Sequence, residues 1–489
     1  MKAALGLDVG TTSVKAVVVA SDGRVIGQGT SGSLAMRSPH PGWAVQASAD
    51  LVEAVKACLK ATVSSLPADT DIQSLTAAVQ SGSVIDVDQD GVPGVDLTTW
   101  MDTRCEPLVR QWKADGSDDR IRQLCGWSVQ PGQGLPQLAW LRDNDPIAWN
   151  RVDRIASADD LVTNRLTGEW VTNPSNAAGM ALMDLSSGQW SSELCGLIGI
   201  EAEQLSDLRP SGERIGSITP EIITGTGLQS GLDVFNGGHD QACAALALGV
   251  TEPSQALLAG GTAWVLTNVV SPDAAVEVPT EMNVSFHVVP EARTASTYLG
   301  GMGASIEWWL TTQDPQPTGE DRFAVLDEKL ATATTSESSP YFLPSLAGSA
   351  ASKIPGSGRF VNTDTSTTDG ERARSIMEHA AFRLRTSIES LPESHRPQTL
   401  TVVGGVTRAS HWVQLIADVS ELPVIEAANP SLPALGAAAL GGVASGVFTD
   451  IESAVASLKI ARRDVEPNGQ KAEVFRRRHQ NHLEQEKQK

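Results

Sequence analysis

Near the middle of the 489-residue chain one carboxylate has the setting of a catalytic base. Asp240 follows Asn236-Gly237-Gly238-His239 and precedes Gln241. Upstream, Leu232-Asp233-Val234-Phe235 is a short apolar run of strand type; downstream, Ala242 to Gly249 is rich in Ala and Leu and reads as a helix. A strand that empties into two glycines and feeds a helix sets Asp240 at a helix N-terminus, beyond the strand's carboxyl end, where open α/β sheets bind ligands. An Asp in that position serves either as a helix cap or as the acceptor of a substrate proton. A second carboxylate, Asp8, ends the apolar run Ala3 to Val9 and precedes Gly10-Thr11-Thr12-Ser13. The backbone N–H groups and hydroxyls of such a turn can wrap a phosphate, with Asp8 placed where a magnesium ion needs an oxygen ligand. The alternative is a Gly-Thr hairpin whose Asp only caps the turn.

Four further stretches carry polar chemistry. Leu75 to Val79 reads as a strand that delivers Gln80-Ser81-Gly82-Ser83. Trp100-Met101-Asp102-Thr103-Arg104 places an acid and a base two residues apart, so on extended chain both can address one polar ligand or pair with each other. Ala256 to Gly260, Gly261-Thr262 and Trp264 to Leu266 restate the opening pattern of apolar strand, Gly-Thr turn and apolar strand. Two such turns at equivalent places in successive halves predict duplicated domains with a phosphate held between their turns. Thr399 to Val403 reads as a strand ending in Gly404-Gly405, with Arg408 beyond and a helix from Trp412 to Val419. Those glycines either let a planar base lie against the backbone or are purely structural.

The elements that position these groups follow from patterning. Asp22-Gly23 separates two apolar runs, a hairpin signal. Asp50-Leu51-Val52-Glu53 has the form of a capping box, and Leu51, Val55, Leu59 and Val63 repeat on one helical face. Tryptophans at 43, 100, 112, 127, 140, 149, 170 and 190 crowd the first half, either as core or as an apolar wall for the C–H faces of a sugar. The length exceeds what one core usually supports, so two domains are expected. With 37 Lys and Arg against 58 Asp and Glu, the net charge of −21 repels nucleic acid and anionic membranes. Five scattered cysteines without metal-ligand spacing suit a reduced compartment, and neither an export signal nor a membrane span is evident, which predicts a cytoplasmic protein.

Taken in order, Asp8-Val9-Gly10-Thr11-Thr12, Trp100-Met101-Asp102-Thr103-Arg104, Gly238-His239-Asp240-Gln241, Gly261-Thr262 and Gly404-Gly405-x-x-Arg408 make the chain resemble the FGGY family of carbohydrate kinases, most closely its xylulokinases. The resemblance runs over nearly the whole length. It implies an α/β fold of two actin-like (ribonuclease H-like) domains around a central nucleotide and sugar cleft: residues 1–245 with the sugar site and catalytic Asp, 246–470 with the ATP site, and a polar tail over 471–489. It implies ATP-dependent phosphorylation of a sugar hydroxyl with Mg2+, the acceptor being a ketopentose such as D-xylulose. Asp240 would be the base, and Asp8 with Asp240 would hold the metal. Gln80, Ser81, Gly82, Trp100, Asp102, Arg104, His239 and Asp240 would meet the sugar. Gly10, Thr11, Thr12, Gly261, Thr262, Gly303, Gly404, Gly405 and Arg408 would meet the nucleotide. Expected partners are the sugar and ATP, with no nucleic acid or membrane, and a homodimer as the form of any self-association. A non-catalytic actin-like sensor, a polymerising actin-like protein and a kinase for another sugar or polyol are the alternatives.

Three departures bear on the acceptor. Xylulokinases carry Met-His where this chain has Ser81-Gly82, which predicts a roomier sugar wall. His239 replaces a usual glycine and adds a titratable ring beside the base. Ala347-Gly348-Ser349-Ala350-Ala351 stands where an Arg-x-Pro segment is expected.

Overall fold

A computed structural model describes residues 1–273, 277–313, 316, 319, 321–331, 333–344 and 358–487. The segment Ala347 to Ala351 lies outside the described residues. The chain forms two compact units: Met1–Thr251 with Asn283–Arg293 and Pro430–Lys459, and Glu252–Met282 with Thr294–Asn429 and Ile460–Lys489.

In the first unit the apolar run at the N-terminus becomes β1 (Lys2–Val9), hairpinned to β2 (Val14–Ala20) and then β3 (Val25–Thr30). Asp22-Gly23 makes the second turn, where Gly23 takes φ +79°. With β4 (Asp71–Val79), β5 (Arg214–Ser217) and β6 (Asp233–His239), the sheet order is β5-β6-β4-β1-β2-β3. β1, β4 and β6 are parallel; β2, β3 and β5 run against their neighbours. Helix α1 (Ser48–Ser64) packs on this sheet through Leu51, Val55 and Leu59. It begins two residues before the expected capping box and has no side-chain cap, so Asp50 acts in its first turn as a charge favourable to the helix dipole.

The second unit repeats the plan. Strands β7 (Gln255–Gly260), β8 (Trp264–Val270), β9 (Arg293–Gly300), β10 (Thr399–Val403), β11 (Val424–Ala428) and β12 (Ala461–Val465) lie in the order β12-β11-β10-β7-β8-β9. β7 and β8 form an antiparallel hairpin, β10 runs parallel to β7 and to β11, and β12 is antiparallel to β11. Strand for strand, this matches β5-β6-β4-β1-β2-β3. The repeat expected from two Gly-Thr turns therefore extends to six strands of this seven-stranded sheet. The core here gathers Trp264, Trp309, Phe342, Phe382 and Trp412.

Two features depart from the sequence reading. Helix α4 (Leu432–Ala444), far along the chain, belongs to the first unit, where it packs on β1, β4 and helix α2 (Asp240–Ala247). Small residues explain it: a Cβ on Gly6 would lie 1.8 Å from the Ala434 carbonyl oxygen, and one on Gly436 1.8 Å from that of Cys243. Second, residues 471–489 do not behave as a polar tail. Helix α5 (Ala472–Lys487) buries Phe475, Arg478, His479 and His482. Its charge is internally satisfied. Arg478 Nε donates to Glu378 Oε2 at 2.9 Å, on helix α3 (Asp369–Ser390), and its other nitrogens donate to the carbonyls of Ser336, Ser339 and Pro340. Among the described residues no helix is long and apolar enough to cross a membrane, and all five cysteines are buried and unpaired.

Removing Arg478 would leave the Glu378 carboxylate, 2% exposed, without the partner of its Oε2 oxygen, with Arg374 Nε at 3.3 Å and Thr335 Oγ1 at 3.1 Å still on Oε1. Arg478→Ala is expected to lower stability by about 3–5 kcal/mol, the scale for breaking a buried ion pair, as read by urea denaturation.

Candidate active site

The base candidate sits where three parallel strands end together. In register, Asp8 of β1 pairs with Ala78 of β4, and Gly238 of β6 pairs with the same Ala78. Asp8 and His239-Asp240 therefore stand at one level at the carboxyl end of the sheet, two strand spacings apart or about 10 Å between backbones. The two glycines before them do not form a turn. Both lie within β6, and a Cβ on Gly237 would sit 1.7 Å from the Ala77 carbonyl oxygen, one on Gly238 2.1 Å from Val288 Cγ1. Their small size lets β6 lie close against β4. His239 is the extended N-cap residue of α2, and Asp240 is its first helical residue.

The electrostatics are those of converging carboxylates. Burial first, and the neighbouring Asp240 charge second, push the Asp8 carboxyl from 3.8 up to about 7, with Lys15 acting in the opposite direction. His239 Nε2 lies 3.1 Å from Asp240 Oδ1, and both side chains are roughly one-quarter exposed. An acidic oxygen donor whose ionisation is opposed by burial and by a neighbouring carboxylate suits a hard divalent cation.

The Gly-Thr turn after β1 is held by Gly10 N donating to Ser13 O at 3.2 Å. Thr12 is exposed. Thr11 is turned to a different task. Its hydroxyl donates to Gln80 Oε1 at 3.2 Å and accepts from the Trp100 indole N–H at 3.0 Å, while its carbonyl accepts from Gln46 Nε2 at 2.6 Å. Ser83 Oγ donates to the same Gln80 oxygen and accepts from Trp100 N. Thr11, Gln80 and Trp100 thus form one network, with the Trp100 side chain nearly half exposed above it.

Ser81 and Gly82 do not leave open space. Ser81 Oγ donates to Asn176 O at 3.0 Å. Gly82 adopts φ +82°, and a Cβ there would lie 2.6 Å from Gly132 O; Gly132 in turn leaves room for Trp100 O. The wall expected to be roomier is closed by backbone instead, because two glycines let neighbouring chains meet.

Asp102 and Arg104 turn to each other. Arg104 Nε and backbone N donate to Asp102 Oδ1, both at 2.9 Å; Arg104 Nη2 donates to Oδ2 at 2.7 Å, which also accepts from Ala44 N. Asp102 is fully buried, and the Arg104 guanidinium stacks 3.5 Å from the Trp43 ring centroid. The carboxylate expected to address a ligand is occupied within the protein. Its pairing fixes the loop that presents Trp100.

The other expected residues lie in the second unit and are described there alone. Gly261 N donates to Ala263 O at 3.2 Å, the counterpart of the Gly10 contact. Thr262 O accepts from Ala304 N, and Gly303 packs so closely that a Cβ would lie 2.2 Å from Gly261 O. Gly404 takes φ +96° as β10 passes into Gly405–Arg408, and its carbonyl accepts from Thr407 Oγ1. The Arg408 guanidinium lies 5.6 Å from the Phe323 ring centroid. These residues form a glycine-lined surface at the ends of β7 and β10.

Gln46, Asn173 and Ser175 escaped the sequence reading. Each is buried and polar. The usable signal was the polar residue itself inside an apolar strand context, Val45-Gln46-Ala47, since buried amides are hydrogen-bonded.

Comparison with known proteins agrees with this geometry. Residues 3–247 match the N-terminal domain of the FGGY family of carbohydrate kinases, and residues 257–445 its C-terminal domain. The chain belongs to that family: it is an ATP-dependent sugar kinase of the actin-like, ribonuclease H-like fold. Among its curated relatives, xylulose kinase of Bacillus subtilis is 28% identical over 459 residues, 92% of this chain and 90% of the relative. Xylulose kinase of Escherichia coli is 25% identical over 90% of each. The crystal structure of xylulose kinase from Rhodospirillum rubrum superposes with a TM-score of 0.90 at 25% identity, over 98% of this chain and 97% of that one.

The Asp8 carboxyl supplies a check on the site. Because its folded pKa lies above its ordinary value, the metal-free folded protein retains a proton that the unfolded chain has released. This group's contribution is full below about pH 4 and is lost as the pH rises towards 7. With chelator present, Asp8→Asn should therefore become more stable than wild type as the pH goes from 5 to 7, the gap levelling off above. A gap unchanged with pH in urea titrations would contradict the raised Asp8 carboxyl, which burial causes first and Asp240 second.

Proposed function

We propose that this kinase phosphorylates a ketopentose, D-xylulose being the first candidate, with Asp240 as the general base and Mg2+ held by Asp8 and Asp240 in a cytoplasmic enzyme. The observation that carries the proposal is the pair of carboxylates at one level on the ends of β1 and β6, with Asp8 driven up to about 7 by burial and by Asp240. A sensor has no need of a base beside a second, part-buried acid at the ends of these strands. The xylulose kinases among its relatives, 28% and 25% identical over nine-tenths of the chain, support the acceptor.

Phosphoryl transfer asks the protein chiefly for positioning and for charge stabilisation. Trp100, held by Thr11, offers an apolar face to the C–H groups of the sugar, and the half-exposed side of the Thr11–Gln80 network offers polar contacts to its hydroxyls. Asp240 accepts the proton of the attacking hydroxyl at its carboxylate, and the His239 ring 3.1 Å away restrains that carboxylate's orientation. When bound, Mg2+ neutralises charge on the transferring phosphoryl group. Gly261, Thr262, Gly303, Gly404, Gly405 and Arg408 contact the nucleotide through backbone donors and small surfaces, and Gly10 and Thr12 offer donors to a phosphate. Asp102 and Arg104 act on the sugar through the loop they fix rather than by direct contact.

A second acceptor reading has its own observation. Ser81-Gly82, closed by Gly132 O, replaces the Met-His wall of xylulokinases, so the same chemistry on another sugar or polyol is favoured if D-xylulose fails. Autoinducer-2 kinase of Photorhabdus laumondii, 25% identical over 97% of this chain, shows how wide the acceptor range of such relatives is.

Two measurements test the proposal. Asp240→Asn is expected to lower turnover by about 10²- to 10⁴-fold with ATP binding nearly intact; more than a tenth of wild-type turnover would remove Asp240 as base. A coupled ADP-release assay over ketopentoses, aldoses, polyols and sugar acids is expected to rank D-xylulose first by kcat/KM. A polyol or sugar acid ranked first would select the second reading.

A further inference from the structure

Beneath the strand that delivers Asp240 runs a chain of buried hydrogen bonds. The backbone N–H of His239 donates to Ser175 Oγ at 2.9 Å, and Ser175 Oγ donates to Asn173 Oδ1 at 2.6 Å. Asn173 Nδ2 donates to Asp159 Oδ2 at 3.0 Å, an oxygen that also accepts from Thr172 Oγ1 at 3.0 Å. Asp159, Asn173 and Ser175 are each no more than 2% exposed. None touches solvent, and none is needed to close a sheet.

Each member is locked from a second side. Asp159 stands in the first turn of the helix Ala158–Thr167, which Ser157 caps. Asn173 caps the short helix Pro174–Ala177 by accepting from Asn176 N at 3.0 Å. Ser175 Oγ would lie 3.1 Å from a Cβ on Gly238, so it rests against the residue before His239 as well as on the His239 amide. The chain ends one peptide unit from the base, on the residue where extended backbone gives way to helix. A buried acid that served only its own helix would have no reason to connect to that amide through two further side chains. Burial, and then its neighbour Asp160, push the Asp159 carboxyl up to about 8, so it sits there neutral and at a cost that the fold must recover elsewhere.

We propose that Asp159, acting through Asn173 and Ser175, is a positioning residue that holds the His239 amide and thereby fixes the direction in which Asp240 leaves the strand. The proposal rests on Asp240 being the base. Reaction geometry tolerates little error: a displacement of about 1 Å at the reacting groups costs about 10²-fold.

The test uses the full-length enzyme with Mg2+-ATP and the best acceptor from the panel. Ser175→Ala and Asp159→Leu are expected to lower kcat by about 10- to 100-fold while both KM values stay within about twofold. Asp159→Asn keeps an oxygen to accept from Asn173 and Thr172, and is expected to retain kcat within about threefold of wild type. Hydrogen exchange at the His239 amide, read by mass spectrometry on a peptide spanning 236–242, should speed up in Ser175→Ala and Asp159→Leu but not in Asp159→Asn. Unchanged kcat or unchanged exchange in Ser175→Ala overturns the proposal, as does Asp159→Asn being as damaged as Asp159→Leu, or a loss confined to KM. If Ser175→Ala does not fold, the two Asp159 variants decide by the same criteria. Full turnover in Asp240→Asn would show that the base assignment has failed; an inactive Asp240→Asn beside a fully active Ser175→Ala would show that the positioning proposal alone has failed.

Discussion

The first unit depends on backbone meeting backbone around helix α4. Gly6 on β1 and Gly436 on the helix each occupy a place where a Cβ would fall 1.8 Å from a backbone carbonyl oxygen across that contact, and one on Gly441 of the helix would fall 2.0 Å from Thr76 Oγ1 on β4. With no side chain between them, α4 lies directly on β1 and α2, the elements that carry Asp8 and Asp240. Ridge-into-groove packing at ordinary distances would leave those strands freer to shift. Here a shift of β1 relative to α2 is opposed by hard contact, so the spacing of the two carboxylates is set by the core rather than by their own hydrogen bonds. The cost of ionising Asp8, set first by its burial and then by Asp240, is sustained by that packing.

The same logic governs the sugar side. Gly82, Gly132 and Gly179 bring three chain segments together, and polar groups between them pair with one another: Ser81 on Asn176, Thr11 on Gln80 and Trp100, Asp102 on Arg104 and Ala44. A polar network in low dielectric is worth most when fully satisfied, and it then specifies a single arrangement. Trp100 owes its half-exposed pose to this network. Its indole N–H is anchored while the ring face stays accessible.

Much of this was legible in the sequence, for identifiable reasons. β1, β4, β7 and β10 announced themselves as apolar runs ending in glycine, and the order of the short motifs carried the family. The duplicated Gly-Thr turns pointed to a repeat that the matching strand orders extend to six strands a side. What was not legible depended on contacts between distant segments. Gly237 and Gly238 read as a turn because glycine in sequence does not say whether it serves a positive φ or a close approach. Asp102 and Arg104 were judged by spacing, whereas Trp43 and Ala44, more than fifty residues earlier, decide that they close on each other. Residues 471–489 looked solvated because their charges are dense, yet Arg478 finds Glu378 a hundred positions upstream. Asn173 and Ser175 have no periodicity to betray them.

Helix α4 also has a consequence for how the polypeptide is made. Residues 432–444 form the helix that covers a sheet whose strand β1 is residues 2–9, so a ribosome must polymerise the long stretch between them before the cover for β1 emerges. Until then the nascent first unit presents the small-residue face around Gly6, Ala78 and Gly237 to water and to whatever else is nearby. Segments usually fold as they are released, N-terminal part first, and exposed apolar faces invite association. In this kinase the vectorial order of synthesis and the order of burial run in opposite directions, which makes the interval between them the stage at which a chaperone would have most to do.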